Sequence, residues 1–167
     1  MGNDIKIMIV GLTVTFLLVI GFAFWKGGQT SEPSVLADVS GIEVSPESFD
    51  LGEVPINGGL VTREYEIKNG TAESLKLAKI ATSCMCTQAK VILGERETRF
   101  FGMEHATDRN PPVNFEIGAG ETARVVVNFD PAAHGPEGVG PFDRVVWLTF
   151  ADPAGVKELY FDGNVVN

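Results

Sequence analysis

Nineteen consecutive residues from Ile7 to Trp25 carry no charge, and Lys6 and Lys26 bracket them. At about 1.5 Å of rise per residue, a helix of that length nearly crosses a hydrocarbon core of roughly 30 Å. Trp25 and Lys26 suit the far interface, where an indole ring and a snorkelling ammonium both find water and apolar surface. A cleaved signal peptide is the rival. Its apolar core usually runs about 7–15 residues and gives way quickly to small side chains. Here Phe22, Phe24 and Trp25 end the run, and the nearest small-residue site, Val35-Leu36-Ala37, lies well beyond it. The expectation is a retained transmembrane helix over 7–25. The tail 1–6 sets the free amine and Lys6 against Asp4, a small positive excess that favours a cytoplasmic N-terminus and an exported remainder. Residues 26–38 contain Gly, Ser and Pro without a core pattern and read as a tether.

Residues 39–167 have a different texture. Fourteen of the chain's 19 glycines and eight of its 9 prolines lie here, mostly between short apolar runs, and no long segment repeats apolar residues at helical spacing. Extended pieces are expected at 41–44, 49–55, 60–68, 75–80, 88–93, 113–117, 124–129, 144–150 and 157–166. Asn69-Gly70 is a strong turn signal. The most apolar pieces, Arg124–Phe129 and Arg144–Phe150, are expected at the centres of sheets. Seven to nine such strands predict an all-β domain, an immunoglobulin-like antiparallel β-sandwich, with a closed barrel as the alternative. Two long connections, 94–112 and 131–143, invite a functional explanation. The net charge of -9 falls wholly on the domain, because Lys6 and Lys26 cancel Asp4 and Glu32. So acidic a surface repels phosphate backbones and argues against a nucleic-acid partner.

The order Phe49-Asp50-Leu51-Gly52-Glu53-Val54, Tyr65-Glu66-Ile67-Lys68-Asn69 and Thr82-Ser83-Cys84-Met85-Cys86-Thr87 forms a pattern. It continues through Ile117-Gly118-Ala119-Gly120-Glu121 and Val125-Val126-Val127-Asn128-Phe129-Asp130. Over roughly residues 42–165 it resembles the bacterial family catalogued as domain of unknown function 1573, an immunoglobulin-like module related to ASPM/Hydin-type domains. Many members carry Gly between the cysteines, where this chain has Met85. The resemblance implies the sandwich and an envelope location; it implies no activity.

Chemistry concentrates in six side chains: Cys84, Met85, Cys86, Met103, His105 and His134. Two residues apart on a strand, the two sulfurs project to one face and can converge on an ion. Thiolate, thioether and imidazole form a soft donor set that suits Cu(I) first. Zinc, held by Cys84, Cys86, His105 and His134, comes second. A Cys84–Cys86 disulfide is the other use of the pair. It needs a tight turn, since cysteines two apart on an extended strand stand near the upper Cα limit for a bridge. No Gly-x-Ser-x-Gly elbow, His-Glu-x-x-His helix or phosphate-binding loop is present, so no enzyme is expected. Three functions follow: a membrane-anchored extracytoplasmic Cu(I) binder, a structural or adhesion module of the envelope, and a thiol-redox module. The partners they imply are the membrane and an envelope or metal-delivery protein.

Overall fold

The computed structural model describes Gly2, Phe16 and residues 38–105 and 109–167. Apart from Phe16, the apolar run 7–25 lies outside the described residues, as does the tether up to residue 37. Among the described residues, no helix is long and apolar enough to cross a membrane.

Among the described residues ten strands form in chain order. They are β1 (Ile42–Ser45), β2 (Ser48–Pro55), β3 (Val61–Asn69), β4 (Leu75–Thr82) and β5 (Thr87–Leu93). Then come β6 (Arg96–Glu97), β7 (Phe115–Ile117), β8 (Thr122–Phe129), β9 (Gly140–Asp152) and β10 (Ala154–Val166). One sheet has the order β1-β3-β8-β5-β6 and the other β2-β10-β9-β4-β7. The fold is all-β and sandwich-like, and buried side chains from both sheets make one core. Strands β8 and β9 take the middle positions expected of the most apolar segments.

Three features depart from the expectation. The pairing is not wholly antiparallel: β2 runs parallel to β10. After β2 the chain crosses to the other sheet, so no hairpin constrains the direction of the strand beside it. The segment 94–112 is not simply loop, because β6 pairs with β5 and Phe101, bridged to Ala89, is buried. The second connection is shorter than expected, since β9 begins at Gly140.

The chain changes sheet at every connection except β5–β6 and β9–β10. The β4–β5 turn and the β8–β9 loop therefore cap the same end of the two sheets, where Asp130 N–H donates to the Cys86 carbonyl (2.8 Å). Beneath them Phe129 stacks on Phe142 with centroids 4.5 Å apart, and Phe161 meets both edge-on. Deeper in the core, Tyr65 on β3 donates its hydroxyl across the interior to the Tyr160 carbonyl on β10, tying the two sheets together. Burial pushes the Tyr65 phenol up from its ordinary value, with the Asp162 charge adding to the effect.

The end of β3 depends on Asn69, which is buried. Its amide nitrogen reaches the carbonyls of Glu73, Ile117 and Gly118, at 2.7, 3.0 and 3.0 Å. Its Oδ1 accepts from the Thr71 N–H and hydroxyl. One side chain thus satisfies polar groups of the β3–β4 turn and of β7, and removing it strands several of them. Replacing Asn69 by Ala is expected to cost roughly 2–4 kcal/mol, from two or so stranded groups at about 1–3 kcal/mol each. Urea unfolding of the full chain checks this; a midpoint unchanged from the parent would contradict it.

Candidate functional site

Cys84 and Cys86 sit in the β4–β5 turn and not on a strand, which corrects the expectation that strand geometry aligns their sulfurs. The turn is closed by Thr87 N–H donating to the Cys84 carbonyl (3.1 Å). The buried Thr82 hydroxyl stands 3.0 Å from the carbonyls of both Cys84 and Thr87, so its proton serves the two ends of the turn. Ser83 fastens the same turn to β9 twice, its N–H to the Val145 carbonyl and its hydroxyl accepting from Val145 N–H. So held, the two Cα atoms stand 5.2 Å apart and the sulfurs are joined as a disulfide. Both cysteines are buried, at 8% and 3% exposure for Cys84 and Cys86.

Each sulfur has its own polar neighbours. His134 Nε2 lies 3.1 Å from Cys84 Sγ, to which Cys86 N–H also donates (3.2 Å). The imidazole is solvent-exposed. Its loop is built by Asp130, whose carboxylate accepts from Ala132 N–H and whose carbonyl accepts from Ala133 N–H. Gly135, with φ at 61°, turns the chain directly after the histidine. Gly138 lets the backbone pass behind it, for a Cβ there would lie 3.1 Å from the His134 Cβ.

On the other side, Arg144 Nε donates to Cys86 Sγ (3.2 Å). Phe142, Val146, Leu148 and Phe150 are the buried, core-facing residues of β9, and Arg144 shares their parity. It is a cation on the inward row. Its guanidinium lies over the Phe142 ring, 5.6 Å from the centroid, and also donates to the Asp143 carbonyl (2.6 Å). Among the described residues it forms no ion pair. Sequence reasoning missed Arg144, although its spacing from Val146, Leu148 and Phe150 on an expected strand was a usable signal.

Of the six side chains singled out in the sequence, three converge. The ligand atoms of Cys84, Cys86 and His134 lie within 4.8 Å of one another. Met85 does not join them: the turn places it outward, 60% exposed. Met103, 40% exposed, lines a surface groove of about 380 Å³ with Lys79, Thr82, Ser83, Glu104 and Trp147, and is not among the converging ligands. His105 is exposed and outside the converging group, so the four-ligand zinc set is not assembled. The reason lies in how segment 94–112 is tied down. Asn110 donates to the carbonyls of Ile80 and Gly102, and Glu104 pairs with Lys79 on β4, which holds the segment along β4.

Glu104 also accepts from Asn110 N–H. The Lys79 hydrogen bond, helped by that N–H and by the charges of Lys79 and Arg109, holds the Glu104 carboxyl below its ordinary range. A carboxyl depressed in the folded state stabilises the fold above its unfolded pKa of about 4.3, and that contribution is lost as pH falls through the folded value. Glu104→Gln is therefore expected to lower stability at pH 7 by up to about 1 kcal/mol, as for a partly exposed pair. The difference from the parent should close at pH 3. Urea unfolding at the two pH values checks it, and an equal difference at both would contradict the assignment.

Residues 42–94 match the family model described as "Protein of unknown function (DUF1573)". The segment runs from β1 through β5 and contains both cysteines. No curated protein matches the chain. Among solved structures, a protein of unknown function from Porphyromonas gingivalis W83 is 19% identical at a TM-score of 0.52, covering 81% of this chain and 50% of that one. The likeness is one of fold, and the chain spans about half that protein's length. The secreted serine protease VesC from Vibrio cholerae is 11% identical at a TM-score of 0.48, over 76% of this chain and 23% of that one. A FixG-related protein from Vibrio parahaemolyticus is 12% identical at 0.37, over 76% and 96%.

Proposed function

We propose that this chain, whose residues 42–94 match the DUF1573 family model, is an envelope thiol–disulfide module whose working bond is Cys84–Cys86. In this proposal the apolar run 7–25 anchors an immunoglobulin-like domain on the extracytoplasmic side, and the domain exchanges electrons with another protein without being an enzyme itself. The observation that carries it is the pair of side chains against the sulfurs: His134 at Cys84 and, at Cys86, an inward-facing arginine without a carboxylate partner among the described residues. A guanidinium beside a sulfur stabilises the thiolate form and so favours opening of the bond.

The rival use of a disulfide is mechanical. With a sequence separation of 2, the bridge closes so short a loop that chain entropy supplies only on the order of 1.5 kcal/mol. A fold with a core drawn from both sheets gains little from it. Mild reduction of the folded full chain is expected to raise its mass by two daltons, and gentle oxidation should restore the original mass without change in circular dichroism. A bond that opens only when the chain unfolds would overturn the proposal.

A second use of the same atoms is supported by the convergence of Cys84, Cys86 and His134. Once reduced, they offer two thiolates and an imidazole, a soft set suited to Cu(I) ahead of zinc. Disulfide and metal site would then be two states of one centre. Titrating the reduced full chain with Cu(I) against a competing chelator is expected to show binding that a Cys84→Ser/Cys86→Ser variant loses. Equal affinity in the two proteins would remove the metal from the account.

A further inference from the structure

The two sulfurs are not equivalent, and from their surroundings we infer a division of labour: Cys84 is the sulfur that an incoming thiolate attacks, and Cys86 is the leaving thiolate, received by Arg144. The inference rests on the thiol–disulfide role proposed above and goes beyond it by assigning the order of events. Cys86 is the more deeply buried of the pair, and its sulfur is enclosed by Thr87 Oγ1 at 3.6 Å and Arg144 Nε at 3.2 Å. Cys84 is less enclosed, and the histidine against it is solvent-exposed. Attack therefore comes from the His134 side.

The partner class is a protein dithiol. One of its thiolates bonds to Cys84 Sγ, the Cys84–Cys86 bond breaks, and the electron pair goes to Cys86 Sγ, where the guanidinium lies in hydrogen-bond range. The partner's second thiolate then attacks its own sulfur in the mixed disulfide and releases Cys84, whose sulfur takes up a proton within reach of His134 Nε2. Two electrons pass from the dithiol, which leaves as a disulfide, to Cys84 and Cys86. The second proton of the dithiol goes to Cys86 or to solvent. Run in reverse, Cys86 resolves a mixed disulfide held on Cys84.

A permanent positive charge is needed only where the thiolate departs, which accounts for an arginine that lies on the core-facing row yet has no carboxylate partner among the described residues. Arg144→Gln removes the charge while keeping a polar side chain. It is expected to make the disulfide about tenfold harder to reduce against glutathione, equivalent to about 30 mV.

The order of events is tested on the parent protein, so no variant need fold. The full chain is mixed with glutathione, quenched in acid, and the adduct located by tandem mass spectrometry. At least tenfold more glutathione on Cys84 than on Cys86 is the expected result, and in Cys86→Ser a stable adduct on Cys84 accumulates when oxidised glutathione supplies the disulfide. Glutathione on Cys86, or evenly on both, overturns the assignment while leaving a redox role intact. A folded chain that neither forms an adduct nor is reduced by glutathione sinks the redox role and the assignment with it. An Arg144→Gln protein with the parent's reduction equilibrium removes Arg144 from the scheme.

Discussion

Every second side chain of β9, from Phe142 to Phe150, faces the opposite sheet, and the molecule is organised around that row. Phe142, Val146, Leu148 and Phe150 are buried there against residues of β8, β5 and β3. Apolar burial of this kind is the main favourable term in folding, and it fixes the register, because a slip by one residue would turn the row to solvent. The second position of the row is Arg144, so the constraint that makes the core also delivers a guanidinium to its end. The β4–β5 turn meets it there because the chain must cross between sheets at that point.

A charge on the inward row is costly unless its hydrogen bonds are met. Arg144 meets them with the Asp143 carbonyl, the Cys86 sulfur and the face of Phe142. Arginine keeps its charge at any ordinary pH, and its planar group can lie on an aromatic ring while donating sideways. A lysine offers one mobile ammonium and no such fork. The proposed redox role gives this expensive placement a use, because the strongest partner the guanidinium can find is a sulfur that becomes negative.

Much of the fold was legible in the sequence. Nine expected strands appear, since each is a short apolar run and most are closed by Gly, Pro or Asn. The short β6 was not, because Arg96–Glu97 has no apolar signal; it is held to β5 by backbone pairing and by the Lys90–Glu97 ion pair. The parallel partnership of β2 and β10 was hidden as well, being a matter of topology and not of any local residue. Of the site, the cysteines and His134 were marked by residue type, but their meeting depends on which end of the sandwich each connection caps, which no local residue signals. Met85 stays apart from the sulfurs, as the middle residue of the turn pointing outward. Met103 and His105 stand apart from the cysteines because Asn110 and Glu104, ordinary polar residues in sequence, tie the residues around them to β4.

The central claim is that Cys84–Cys86 is a bond meant to open. The most direct measurement is the reduction potential of the folded full chain, titrated against glutathione couples with the thiols counted at each step. A working redox pair with a guanidinium at one sulfur is predicted to equilibrate with glutathione, at about −180 to −260 mV. A value below about −300 mV, typical of structural bridges in secreted proteins, would contradict the account.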